Sequence, residues 1–302
     1  MLAEFLPFAL ALMAAGLAAG FLAGLFGIGG GFVVVPALAA VLTFMTDIPG
    51  DRIMHLAIGT SLATIIVTSL RSVQAHARRG AVDWEVLKSW SPFVIAGVVL
   101  GIALAGIMDG RSLRYVFAIG VILMSLHFLF PVLAKHAPVT DHMPTGSLRG
   151  ALGSFLGGFS ALLGIGGGTP AVLIMTLSGR PIHQAVATAA GFGTLIAVPG
   201  AIGAILIGWN QPDLPFGSLG YVNVIAFLGI TAMSILTAPL GASIAHRLDS
   251  AKLRRVFGLY LVLTGGLMLA GSLPRPAPSL PEPVTAGAPA ASPLTASSKG
   301  TP

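Results

Sequence analysis

The pentapeptide Gly27-Ile28-Gly29-Gly30-Gly31 decides the fold, because it recurs as Gly164-Ile165-Gly166-Gly167-Gly168. Each copy follows a long apolar run, and almost half of the 302-residue chain separates them, which indicates an internal duplication. Consecutive glycines interrupt a helix, and irregular backbone inside a membrane persists only where it is buried in protein or lines a cavity. Paired interruptions in two halves are the best sequence indication of a transporter's binding site. The sequence therefore predicts a transporter of a small solute.

The composition is that of a membrane protein. Hydrophobic residues make up 55% of the chain, charged residues 9%, and the mean hydropathy is +0.92. A soluble domain usually carries about a quarter charged residues. The first apolar run, 5–26, is too long for a signal-peptide core, so we expect it to stay in the mature protein. The net charge of +6 lies mostly in short loops, which the positive-inside rule explains better than nucleic-acid binding does.

Apolar segments separated by polar residues form candidate membrane spans, five in each half. They cover 4–26, 30–46, 53–73, 86–108 and 113–134, then 147–163, 168–178, 182–207, 221–246 and 252–272. From Arg275 onward the chain is rich in Pro, Ala, Ser and Thr, which predicts a disordered tail. The predicted division is a first transmembrane repeat, 1–137, a second repeat, 138–272, and the tail, 273–302.

The duplication extends beyond the glycines. His55-Leu-Ala-Ile-Gly-Thr60 aligns with His183-Gln-Ala-Val-Ala-Thr188, and Gly101 falls opposite Gly241. Because each half has an odd number of spans, the halves would lie in opposite orientations. The predicted fold is an all-α polytopic membrane protein with two inverted-topology repeats of about five helical segments each, and with Gly-rich interrupted helices at the repeat interface.

The charges of the loops agree with inversion. The segment 71–88 carries four Lys or Arg residues, whereas its counterpart, 208–220, carries none. Since basic loops stay in the cytoplasm, we expect 71–88, 135–149 and 247–255 on that side and both termini outside.

The glycine segments are the candidate substrate site. A short helix that starts at a glycine turn directs free N–H groups and a positive dipole end at the cavity, which suits an anion. The predicted backbone donors are Gly29, Gly30, Gly31, Gly166, Gly167 and Gly168. The alternative is close helix packing through small residues, which explains Gly16, Gly20 and Gly24 better. A nucleotide-binding loop is excluded, because Phe32 and Thr169 stand where GxGxxG needs glycine and no lysine is near.

Hydroxyl and charged side chains give further candidates. Thr60, Ser61 and Thr188 either donate to the anion or bond to their own backbone carbonyls. Arg71 either draws the anion in from the cytoplasmic side or extends to the interface.

Histidines are the candidates for proton coupling. His55 and His183 occupy equivalent span entrances, and they either couple transport to protons or cap a loop. His127 has no repeat partner and is expected to be structural. The sequence has no cysteine, and its acidic residues lie in loops, so we expect no enzyme activity, cofactor or metal site.

Several motifs in order resemble the TauE/SafE family of sulfite exporters, over residues 8–270. They are Gly24-Leu-Phe-Gly-Ile-Gly-Gly-Gly-Phe-Val-Val-Val-Pro36, Ala57-Ile-Gly-Thr-Ser61 and Arg79-Gly-Ala-Val-Asp-Trp84, with the echoes Leu163-Gly-Ile-Gly-Gly-Gly-Thr-Pro170 and Ala185-Val-Ala-Thr188. The resemblance implies a multi-pass carrier of the bacterial inner membrane for sulfite, sulfonates, sulfoacetate or related anions, energised by an ion gradient. Ala189 stands where the first half has Ser61, so a hydroxyl pair there would be asymmetric.

The predicted function is secondary transport of a small sulfur-containing anion by alternating access, with export as the expected direction. The alternatives are a non-transporting membrane scaffold or assembly factor, and a carrier of a different small anion. The expected partners are the anion, the lipid bilayer and a coupling proton or other ion, without nucleic acid. The sequence leaves a homodimer open.

Overall fold

In the residues that the structure describes, the helices match the predicted spans one for one. The computed structural model describes residues 2–26, 30–45, 48–130, 142–245 and 249–271. In these residues the helices are α1 Leu2–Phe26, α2 Gly31–Met45, α3 Gly50–Ala77, α4 Trp84–Ile107, α5 Gly110–Leu129, α6 Gly146–Leu162, α7 Gly168–Leu177, α8 Ile182–Gly208, α9 Val224–Ala245 and α10 Ser250–Ala270. A short hairpin, β1 Ser218–Leu219 and β2 Val222–Asn223, precedes α9.

The lengths of these helices confirm a helical multi-pass membrane protein. Within the described ranges, seven helices are long and apolar enough to cross a membrane. The helices that follow the glycine runs, α2 and α7, are shorter. At a rise of about 1.5 Å per residue, α7 reaches roughly half of a hydrocarbon core about 30 Å thick. One end of α7 therefore lies within the protein and not at a membrane surface.

The repeat-equivalent helices α3 and α8 pack against each other in antiparallel fashion. A Cβ placed on Gly59 would lie 2.9 Å from the Ala204 side chain, and one on Gly193 would lie 2.9 Å from Ser69. Early positions of α3 thus meet late positions of α8, and the reverse. An inverted repeat would produce this arrangement, although the inversion itself stays a prediction.

Small residues allow close packing within two helix pairs, α1 with α9 and α4 with α6. Gly24 lies against the backbone of Ala238, and Gly97 lies against the backbone of Ser154. A Cβ on Gly16 would lie 2.9 Å from the Cα of Ile230. Close packing is therefore the role of the glycine series on α1. When the two halves are aligned, α1 corresponds to α6 and α9 corresponds to α4. The pair of α1 with α9 is therefore equivalent to the pair of α6 with α4.

The predicted repeats, 1–137 and 138–272, form one compact unit that ends at Ser272. Their division into two repeats stays a prediction, and the predicted tail, 273–302, lies outside the described residues.

Candidate substrate site

Both glycine runs fall between helices. The helix α1 ends at Phe26 and α2 begins at Gly31, whereas α6 ends at Leu162 and α7 begins at Gly168. In the described part of the two runs, the residues with left-handed backbone are Gly30 (φ +70°), Gly164 (φ +61°) and Gly167 (φ +66°). This conformation favours glycine because a side chain there is strained. Gly29, a predicted donor, lies outside the described residues.

The two glycine turns meet at the centre of the protein. A Cβ on Gly31 would lie 2.6 Å from the Gly164 carbonyl oxygen and 2.9 Å from the Ile165 Cα. Ser61 donates its hydroxyl to the same Gly164 oxygen at 2.8 Å. Ser61 therefore braces the second turn, and neither Ser61 nor Gly31 lines the cavity described next.

A cavity of about 440 Å³ lies beside the second turn. It lies between α7, the second half of α3 and the first half of α8, with contributions from the end of α5 and the start of α10. Gly166 and Gly168 line it, and they belong to the predicted set. Gly193 on α8 lies close to the Gly166 carbonyl oxygen, so α8 and the second turn are in close contact at this wall of the cavity.

The first turn of α7 gives this cavity an anion-binding character. The N–H groups of Gly168 and Thr169 begin the helix and have no acceptor within it, and Pro170 has no N–H. Thr169 is 8% exposed, and its hydroxyl has no hydrogen-bond partner within the described chain. A buried donor without a partner costs free energy, and an anion at the positive end of α7 would accept from it.

Five hydroxyl residues line the cavity, but most of them are already engaged. Thr176 donates to the Val172 carbonyl of its own helix, and Ser69 lies 3.0 Å from the Thr194 hydroxyl. The lining hydroxyls are Thr68, Ser69, Ser72, Thr169 and Thr176. Thr169 is therefore the donor best placed to bind a substrate.

Two basic side chains that were not predicted as site residues line the cavity. Arg254 is exposed there, and the lining contains no Asp or Glu. His127 also lines the cavity, in edge contact with Phe128 at 5.6 Å, although it was predicted only as structural. Sequence reasoning missed both because their places depend on the packing of α5 against α10. The available signal was the match of Leu253-Arg-Arg-Val-Phe257 to Leu113-Arg-Tyr-Val-Phe117, which places Arg254 opposite Arg114.

Thr60 and Thr188 play equivalent roles away from the cavity, and both are 0% exposed. Thr60 accepts a hydrogen bond from the Asn223 N–H at 2.9 Å, and Thr188 accepts one from the Asp83 N–H at 2.9 Å. Asn223 and Asp83 in turn accept from backbone N–H groups at the starts of α9 and α4. Each threonine thus fixes a helix start in the other half.

The remaining predicted residues also lie outside the cavity lining. Arg71 and His183 are exposed. His55 is buried, and each of its ring nitrogens lies 3.0 Å from a backbone carbonyl oxygen, that of Asp51 or that of Ala105. Gly30 and Gly167 do not line the cavity either, so only the second of the two predicted turns lines it within the described chain.

Comparisons with known proteins find similarity to membrane transporters. The family described as sulfite exporter TauE/SafE matches residues 12–268. A probable membrane transporter protein of Haemophilus influenzae is 36% identical over 256 residues, which cover 85% of this chain and 96% of the relative. A probable membrane transporter protein of Methanocaldococcus jannaschii is 28% identical, over 88% of this chain and 97% of the relative. No solved structure matches this chain.

Proposed function

Because the chain belongs to the sulfite exporter TauE/SafE family, we propose that it exports a small sulfur-containing anion by alternating access. That it is a multi-pass membrane transporter follows from the family and from its relatives. The observation that carries the proposal is the unpartnered Thr169 hydroxyl at the positive end of α7, beside the cavity.

The chemistry of the donors suits a sulfur oxyanion. Its oxygens are several and weakly basic, so neutral donors such as the N–H groups of Gly168 and Thr169 and the Thr169 hydroxyl can bind it without a buried cation. Arg254 at the same cavity offers a guanidinium whose planar fork matches two such oxygens. The anion is attracted by Arg254 and held by the start of α7.

The walls of the cavity favour an anion with an apolar body. Val172, Leu173, Val186 and Phe128 line it, and a volume of about 440 Å³ greatly exceeds the roughly 30 Å³ of one water molecule in the liquid. Sulfite would leave most of this space to water. An organosulfonate would place its sulfonate at α7 and its apolar part on these walls.

The cavity lies on one side of the protein, at the C-terminal end of α3 and the N-terminal end of α8. We call this side the open face. At the opposite ends, the closed face, the backbone of Tyr221 packs against Gly59 and Gly208, and Gly110 packs on the backbone of Asp51. The expected topology puts the basic loops of the open face in the cytoplasm. The structure then corresponds to the state that loads substrate for export.

Purified protein in liposomes tests the proposal. We expect Thr169→Val to weaken binding of an organosulfonate about tenfold and to slow flux, because the variant keeps the shape and removes the free donor. Thr176→Val is the matched control, since Thr176 lines the same cavity but donates to its own helix. A panel of sulfite, sulfate, thiosulfate, taurine and sulfoacetate ranks the cargo. Equal binding by both variants, or no saturable flux of any panel anion, would refute the proposal.

A further inference from the structure

His55 lies at the closed face in a setting that only one protonation state satisfies. Its Nδ1 lies 3.0 Å from the Asp51 carbonyl oxygen, and its Nε2 lies 3.0 Å from the Ala105 carbonyl oxygen. A carbonyl oxygen only accepts hydrogen bonds, and neutral imidazole has one N–H donor and one lone pair. The neutral ring would therefore direct a lone pair at an oxygen, whereas the doubly protonated ring donates to both.

The surroundings favour this positive charge. The Ala105 carbonyl belongs to the last turn of α4, where the dipole end of the helix is negative. The ring of His55 stacks on Tyr221, with centroids 4.7 Å apart, and the face of an aromatic ring attracts a cation. His55 is 7% exposed, and burial disfavours a charge, so the two carbonyl oxygens and the Tyr221 ring have to stabilise it in place of water.

The ionisable groups on the neighbouring segments are few. Asp51 and Arg52 belong to the first turn of α3, and Arg52 donates to Gln211 in the connection before α9. Asp109 caps α5, and hydrogen bonds from Ser112 lower the pKa of its carboxyl, so it is ionised at neutral pH. Burial raises the pKa of Tyr221, so its phenol stays neutral.

We propose that doubly protonated His55 is a proton-binding latch, which holds α3 to α4 and opens the closed face only after it loses a proton. This inference rests on the proposed function, because alternating access requires that face to open. Protonation lets the ring donate to both carbonyl oxygens and so favours the closed face, whereas loss of one proton weakens it.

The repeat partner of His55 has a different setting at the open face. His183 is exposed there. A latch at His55 therefore belongs to one face only, and His183→Gln is its matched control.

Single cysteines test the latch, because the natural sequence contains none. Ala197→Cys reports the closed face, since Ala197 is fully buried and corresponds to Ser69 of the open cavity. Ala190→Cys, in the open cavity, serves as the reference that cancels the effect of pH on thiol reactivity. The measurement is the ratio of their maleimide labelling rates in purified protein without substrate.

We expect this ratio to rise about tenfold between about pH 5.5 and about pH 8, as one of two charge-assisted hydrogen bonds is lost. In the His55→Gln background the ratio is high and independent of pH, whereas His183→Gln keeps the dependence. A labelling ratio that does not change with pH in the parent protein would overturn the inference. This measurement requires no substitution at His55. An equal effect of both histidine variants would overturn it too. Because the labelling experiment uses no substrate, it tests the latch separately from transport. The latch can be refuted while the flux assay supports the proposed function, and the flux assay can refute the proposed function while the latch is supported.

Discussion

The open and closed faces are built from equivalent residues of the two halves, yet they differ in polarity. In the alignment of His55 with His183, three hydroxyl positions of the open cavity correspond to apolar or small positions at the closed face. Thr68, Ser69 and Ser72 correspond to Ile196, Ala197 and Gly200. Under the alignment of the glycine runs, Thr169 corresponds to Phe32, which is 2% exposed.

This difference indicates that the proposed site belongs to one half of the predicted repeat. Apolar residues at the closed face pack without water, as at Gly200, where a Cβ would lie 3.0 Å from the Leu62 side chain. At the open face the hydroxyls keep the cavity polar. The proposed donors for the anion thus belong to the second half, and the first half supplies Ser61, which donates to the second turn.

The contact between the two turns offers the most severe way to break the comparison. We expect Gly31→Leu to abolish transport and lower the yield of folded protein, because even its Cβ would overlap the Gly164 carbonyl oxygen and force the turns apart. The measurement is flux in liposomes together with size-exclusion chromatography.

Gly266→Leu is the control for this substitution. Gly266 is exposed on α10, with nothing within 4 Å of a Cβ placed there. Normal transport by Gly31→Leu would show that the two turns need not touch.

The two reciprocal threonines sharpen the comparison, because both halves share this pair of hydrogen bonds outside the cavity. We expect Thr60→Val and Thr188→Val each to lower the free energy of unfolding by about 2 kcal/mol, since each leaves a buried N–H without its acceptor. Thermal or denaturant unfolding in detergent measures both. A loss in one variant only would mean that the halves are stabilised differently.

The smallest expected effect concerns the positive charge of Arg254 at the cavity. We expect Arg254→Gln to weaken anion binding about fivefold at low salt and less at high salt, because an exposed cation is screened. Arg255→Gln is the matched control, since Arg255 is the exposed neighbour that does not line the cavity. Identical salt dependence in both variants would remove Arg254 from the site.

The helices and the glycine interruptions were predictable, because hydropathy and glycine act locally along the chain. The equivalence of Thr60 and Thr188 was visible as well. Their role was not, because each hydroxyl accepts from a backbone N–H more than a hundred positions away. No local pattern reports such a partner.

The cavity itself depends on how helices pack, and this limited the prediction of the site. Arg71 looked suitable because of its position in the span, yet it does not line the cavity. Arg254 looked like a loop charge, yet α10 begins at Ser250 and carries it to the cavity. The prediction of two equivalent turns could not anticipate that, among the described residues, only the second turn lines the cavity.

A structure with a bound organosulfonate tests the central claim most directly. The account predicts sulfonate oxygens within hydrogen-bond distance of the Gly168 N–H and the Thr169 hydroxyl, with the apolar part of the ligand against Val172 and Val186. An anion bound elsewhere in the protein, with the start of α7 left empty at saturating ligand, would contradict it.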